Sequence, residues 1–115
     1  MERFNFAETL KEVGKIATKA NVKQVIEVIN NRIKRCEELL VYVNAMSELT
    51  ANNLKPNRAA NIAADIQSIV AELVAWEVEL PAIDKYESLW PILLEVKVLY
   101  AERVNVAKQK LKELP

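Results

Sequence analysis

Glycine occurs only once in these 115 residues, at Gly14. Positive φ comes at little cost only to glycine, and the two-residue turns of β-hairpins depend on it. A chain with one glycine therefore has little means of reversing tightly between strands. Helices need few such positions, and the chain reads as all-α. Residues that start helices recur along it. Asn5 with Glu8, Asn21 with Gln24, and Asp84 with Glu87 each have the spacing of a capping box. In that device a side-chain oxygen takes an orphan N–H and the acid or amide three residues on reaches back. Lys55, Pro56 and Asn57 mark a further start, because proline disfavours helix for the residue before it and Asn57 can cap a helix beginning at Arg58.

The predicted helices span 6–19, 22–51, 58–80 and 85–113. No Pro or Gly separates Lys19 from Val22, so the first two can also run together. Pro81 is expected to end the third. Pro91 leaves two alternatives. Inside a helix capped at Asp84 it costs about 3 kcal/mol and kinks the axis. Alternatively, 84–89 is a short separate turn, and the long helix starts at Trp90 with proline at the favoured first position.

Apolar residues recur at spacings of three and four. In the second helix they are Ile26, Ile29, Ile33, Cys36, Leu40 and Val43; in the third, Ile62, Ile66, Ile69, Leu73, Trp76 and Leu80. The fourth helix carries Leu89, Leu93, Val96, Tyr100, Val104, Ala107, Leu111 and Leu114, with one extra residue between Tyr100 and Val104. Such a stutter unwinds a coiled-coil seam locally and favours a bundle over a long zipper. The expected architecture is one domain over 1–115, an antiparallel four-helix bundle of three long helices plus a shorter N-terminal one. The first helix has the weakest face, with Phe6, Leu10, Val13 and Ala17 beside Gly14, and is the element expected to swing on binding.

Apolar surface exceeds what one core needs. The third helix has a second set, Ala63, Val70, Val74 and Val78, and its polar residues narrow to a line through Asn61, Asp65, Ser68, Glu72 and Glu79. The fourth is similar from Leu89 to Tyr100, and the second adds Leu39, Tyr42, Met46 and Leu49 near its end. The four helices can satisfy one another in a monomer, the wide faces can pair in a homodimer, or a groove can take a different protein. The candidate interaction surface comprises Val70, Val74, Val78, Glu72, Glu79, Leu94 and Val98.

Sixteen basic and sixteen acidic residues cancel, which disfavours nucleic-acid binding because phosphate neutralisation needs a basic surplus. The charge is unevenly spread. From Arg3 to Arg35 eight basic residues face three glutamates, and from Ala59 to Glu95 seven acidic residues face only Lys85. Antiparallel neighbours with complementary charge would account for this, as would an acidic face that meets a basic partner. A nucleic-acid contact through Arg32 to Arg35 is a weaker alternative.

The chain contains no histidine. That removes Ser–His and Cys–His nucleophilic pairs and the Glu-x-x-His ligands of di-iron bundles. Cys36 lies on the apolar stripe, where burial quiets a thiol. Asp65, Glu72 and Glu79 fall seven apart, roughly 10 Å per step along one face, too far for a shared metal within one helix, and read as a solvated face. Trp76 and Trp90, with Tyr86 and Tyr100, could line a pocket for an apolar small molecule, although aromatics at helical spacing usually form core. No glycine-rich phosphate loop and no Cys-x-x-Cys pair occur.

The sequence thus predicts a non-enzymatic helical interaction module without metal or cofactor, acting on a protein partner or on itself. Carrying an apolar small molecule is the alternative. The longest wholly apolar run, Leu89 to Leu94, is far short of the roughly 20 residues of a membrane span, and no secretory signal is evident at the N-terminus. One cysteine fits a reducing cytoplasm.

Overall fold

Thr18 sets the start of the first described helix. Its Oγ1 accepts the Asn21 N–H at 3.2 Å, and its carbonyl accepts the Val22 N–H at 3.0 Å. These bonds satisfy donors that the first helical turn leaves without partners. The computed structural model describes residues 18–52 and 59–114. Among these residues the fold is all-α: α1 (Lys19–Ala51), α2 (Ala59–Ala75), a 3-10 turn (Tyr86–Ser88) and α3 (Leu89–Glu113). No described helix is long and apolar enough to cross a membrane. Of the predicted helix over 6–19 only Thr18 and Lys19 are described, as the cap and first residue of α1; the rest of it, the Asn5–Glu8 box and the start at Lys55–Asn57 lie outside the described residues.

Several boundaries differ from the sequence reading, each for a local reason. Asn21 is not the cap of α1: it sits one turn inside and donates to Thr18, which moves the start from 22 to Lys19. The far end falls at Ala51 as predicted. There Thr50 Oγ1 donates to the carbonyls of Met46 and Ser47, and Asn52 donates to Glu48 O from both its backbone (3.1 Å) and its side chain (2.9 Å).

The third predicted helix was to run to 80, with Pro81 as its stop, but α2 ends at Ala75. Glu77 N–H donates to Val74 O at 2.8 Å, Val78 N–H donates to Leu73 O at 3.1 Å, and Glu77 has φ 62. This is a Schellman stop, with a glutamate in the left-handed position that glycine usually fills. The Asp84–Glu87 capping box does not form. Lys85 precedes the 3-10 turn in an extended conformation and no side chain caps it. A separate 3-10 turn does precede α3, as one alternative had it, but α3 starts at Leu89 and not at Trp90, so Pro91 is its third residue, within the first turn and not at the favoured first position.

The chain divides into two compact units, Met1–Arg35 with Lys97–Pro115, and Cys36–Val96. In the first, Val22, Val25 and Ile29 of α1 and Tyr100, Val104 and Ala107 of α3 are buried. In the second the core is drawn from Cys36, Leu40 and Val43 of α1, Ile66, Ile69 and Leu73 of α2, and Leu89, Leu93 and Val96 of α3, with Ile83 and Tyr86 closing it. Fully burying one such leucine or isoleucine is worth about 1.5–3 kcal/mol.

The α2 and α3 stripes follow the predicted register. In α1 four of the six predicted stripe residues, Ile29, Cys36, Leu40 and Val43, are buried together with Val22, Val25, Leu39 and Met46, while Ile26 and Ile33 are only half-buried. The spacing of three and four assigns position 32 to the buried face as well, and Arg32 occupies it.

Candidate functional site

Position 32 would normally take an aliphatic side chain, and the structure shows how an arginine is accommodated there. Arg32 Nη1 donates to Tyr100 Oη at 3.1 Å, and its guanidinium carbon lies 5.7 Å from the Tyr100 ring centroid. Arg103, one turn further along α3, brings a second guanidinium to 5.8 Å of the same ring. Tyr100 is buried, so the ring receives both cations at an edge of the core of the first unit, where cation–π attraction outweighs its value in water. One of the three basic residues of the predicted patch at Arg32–Arg35 is thereby turned inward: Arg32 is half-buried against tyrosine, while Lys34 and Arg35 are exposed.

The second unit holds a polar cluster that the sequence reading missed. Tyr42 of α1 and Tyr86 of the 3-10 turn both donate to Asp65 Oδ2 of α2, at 2.5 and 2.6 Å. The two rings meet edge to face, 6.4 Å between centroids and 82° between planes. Bonds this short are characteristic of a hydroxyl donating to a carboxylate. They correct the assignment of Asp65 to a solvated face: it is half-buried and ties three elements together. The Tyr42 hydroxyl is held above its ordinary pKa. The bond to Asp65 is the main cause, followed by burial and the Asp65 charge, with the Tyr86 contact acting in the opposite sense. Seven-residue spacing could not reveal this, because the two donors come from other elements. The only sequence signal was a tyrosine, Tyr42, on a stripe otherwise made of leucine and methionine.

Two open clefts adjoin this cluster. One, of about 370 Å³, is lined by residues that include Thr50, Ile62, Lys85 and Tyr86. The other, of about 260 Å³, is lined by Val43, Asn44, Ser47, Glu87 and Trp90. Ser47 and Glu87 border both. Trp90 thus lines an open, partly polar cleft, and Trp76, half-buried at the end of α2, lines neither. Cys36 is fully buried. No group of three or more His, Cys, Asp or Glu among the described residues is arranged to hold a metal ion.

The candidate surface residues divide by exposure. Val74 is 54% exposed and Val98 58%; Leu94 and Glu79 are also exposed, whereas Val70, Val78 and Glu72 are half-buried. Leu94 belongs to the second unit and Val98 to the first. The sequence reading omitted Val41, Trp90, Leu99 and Val106, all large, apolar and exposed. Trp90 and Leu94 are four apart and share a face of α3 in the second unit. Leu99 and Val106, seven apart, share another in the first. No protein family, curated protein or solved structure matches this chain.

Proposed function

We propose that this chain is a small helical interaction module, adaptor or regulatory in kind, working in the cytoplasm through protein–protein contacts, with its own copies or with another protein, and without catalysis. The observation that carries this reading is the exposure of large apolar side chains, among them Val41, Val74, Trp90, Leu94, Val98 and Val106, on helices whose opposite sides are already buried. Scattered exposed apolar residues are ordinary on a protein surface. Pairs repeated on one helix face, such as Trp90 with Leu94 and Leu99 with Val106, are the pattern of a face that another surface covers.

An antiparallel bundle supplies a rigid frame for such faces. In support of an antiparallel arrangement within the second unit, Tyr42 meets Asp65 while Ser47, Thr50 and Ala51 share a cleft with Ile62. The predicted helix over 6–19 would be its fourth member. The carrier alternative has less support, since the clefts are open and bordered by Asn44, Ser47 and Glu87.

The test is a set of surface substitutions read by cross-linking capture and light scattering, each with circular dichroism to verify the fold. Leu94→Asp, Val98→Asp and Glu79→Lys act on exposed side chains and should keep the helical signal while reducing association at least about ten-fold. Association unchanged in all three variants overturns the reading.

A further inference from the structure

The two compact units carry opposite charge. Met1–Arg35 with Lys97–Pro115 holds thirteen Lys and Arg against six Asp and Glu, a formal charge of +7; Cys36–Val96 holds three against ten, a formal charge of −7. The basic and acidic runs of the sequence therefore fall in separate units, and neither surplus is balanced by helices of its own unit. Much of it is on the surface. Lys19, Lys23, Lys108 and Lys112 are exposed in the basic unit; Glu79, Asp84, Glu87 and Glu95 are exposed in the acidic one. Each unit also presents its own apolar pair on α3, Leu99 with Val106 in the first and Trp90 with Leu94 in the second.

We propose that the partner for these faces is a second copy of this chain, docked so that the acidic unit of each copy covers the basic unit of the other. The proposal rests on the interaction reading above and specifies its partner. A two-fold pair makes the same contact twice, so a chain of zero net charge whose halves are +7 and −7 is complementary to itself in this pairing. Pairing like unit with like would set +7 against +7 and is disfavoured by the same charges. A uniformly acidic or uniformly basic partner would match only one unit and repel the other. Charge fixes the choice of partner and the orientation, while the apolar pairs supply most of the affinity once water is excluded.

The first test needs only the unmodified chain, with absolute mass measured by light scattering over a concentration series. At about 0.05 M salt the mass should approach twice 13.1 kDa. At about 0.5 M salt, where screening shortens the range of exposed charges to a few ångströms, the dissociation constant should rise about ten-fold or more.

Two charge variants carry the test further. Lys19→Glu with Lys23→Glu, Lys108→Glu and Lys112→Glu takes the basic unit from +7 to −1. Glu79→Lys with Asp84→Lys, Glu87→Lys and Glu95→Lys takes the acidic unit from −7 to +1. Each variant alone then opposes like signs in both contacts and should be monomeric. Mixed together, they oppose unlike signs in both contacts and should form a heterodimer.

A dimer that ignores both salt and the variants overturns the acidic-to-basic docking but leaves the interaction reading intact. A monomer under every condition also overturns it, and the reading then stands or falls by the capture experiment. Mass that climbs without limit shows head-to-tail association instead of a closed pair. A monomer that retains nucleic acid on its basic unit assigns that surface to another occupant.

Discussion

Two phenolic hydroxyls converge on one oxygen of Asp65, and they are not equivalent, because Tyr86 is buried and Tyr42 is 40% exposed. Removing a buried hydroxyl, whose place water does not reach, costs more than removing an exposed one that water can replace. Tyr86→Phe should therefore destabilise by about 1–2 kcal/mol, and Tyr42→Phe by at most about 0.5 kcal/mol, in urea titrations at neutral pH. High pH should widen the gap between the two variants. The Tyr42 hydroxyl is held above its ordinary pKa, first by its bond to Asp65 and then by burial and the neighbouring charge, so the folded state keeps that proton more firmly than the unfolded chain does. Stability tied to a raised pKa is complete below the unfolded value, near 10, and is lost as pH rises through the folded value. The urea midpoint of the unmodified chain should thus fall on going from neutral pH to above about 10, and Tyr42→Phe should flatten part of that fall. An identical alkaline fall in both proteins would show that Tyr42 does not contribute to it.

α2 stops where its own backbone allows, six residues before the proline that was to end it. Glu77 holds the left-handed conformation with φ 62, closing two bonds to Leu73 and Val74. A residue with a Cβ pays roughly 1 kcal/mol for that conformation relative to glycine. Glu77→Gly should accordingly stabilise the fold by about 0.5–1 kcal/mol, raising the thermal midpoint by a few degrees, without changing the helical signal. A lower midpoint would mean that the glutamate side chain holds the turn more than its backbone strains it. This stop also shows what the sequence could and could not disclose. Proline and capping residues mark where helices are permitted to end, and the ends at Ala51 and Glu113 were readable on those grounds together with periodicity. A Schellman stop on a glutamate leaves no such mark. Periodicity likewise placed the α2 and α3 faces. In α1 it pointed to Ile26 and Ile33, and what separates their line from one through Val22, Val25 and Arg32 is a contact that spacing does not show. Tyr100 supplies it, by giving the Arg32 guanidinium both an acceptor and a ring. The exposed pairs on α3 were legible only as surplus apolar area; which members face outward depends on packing against other helices.

At the scale of the whole molecule, charge is arranged at some cost to the stability of the basic unit. Lys19 and Lys23 are exposed at the N-terminal end of α1, whose first turn holds no acidic residue, and they belong to the unit that already carries +7. A helix N-terminus bears partial positive charge, so a cation in the first turn, where Lys19 stands, is disfavoured by about 0.3–1 kcal/mol, and Lys23, a turn further on, by less. Lys19→Glu with Lys23→Glu removes both disadvantages and lowers the unit's charge to +3. The variant should be more stable by about 0.5–1 kcal/mol in urea titrations on dilute, monomeric chain, with the gain largest at low salt. Under the self-docking proposed above, the same two changes weaken association, because they strip charge from the face that meets the acidic unit of the other copy. Stability and association should therefore move in opposite directions in one variant. That divergence separates charge placed for binding from charge placed for folding, since residues kept for the fold alone would lower both together. Surfaces selected for contact often carry such a stability cost, which optimisation for folding alone would have removed. A variant that gains stability and associates as tightly as the unmodified chain would assign Lys19 and Lys23 to neither role.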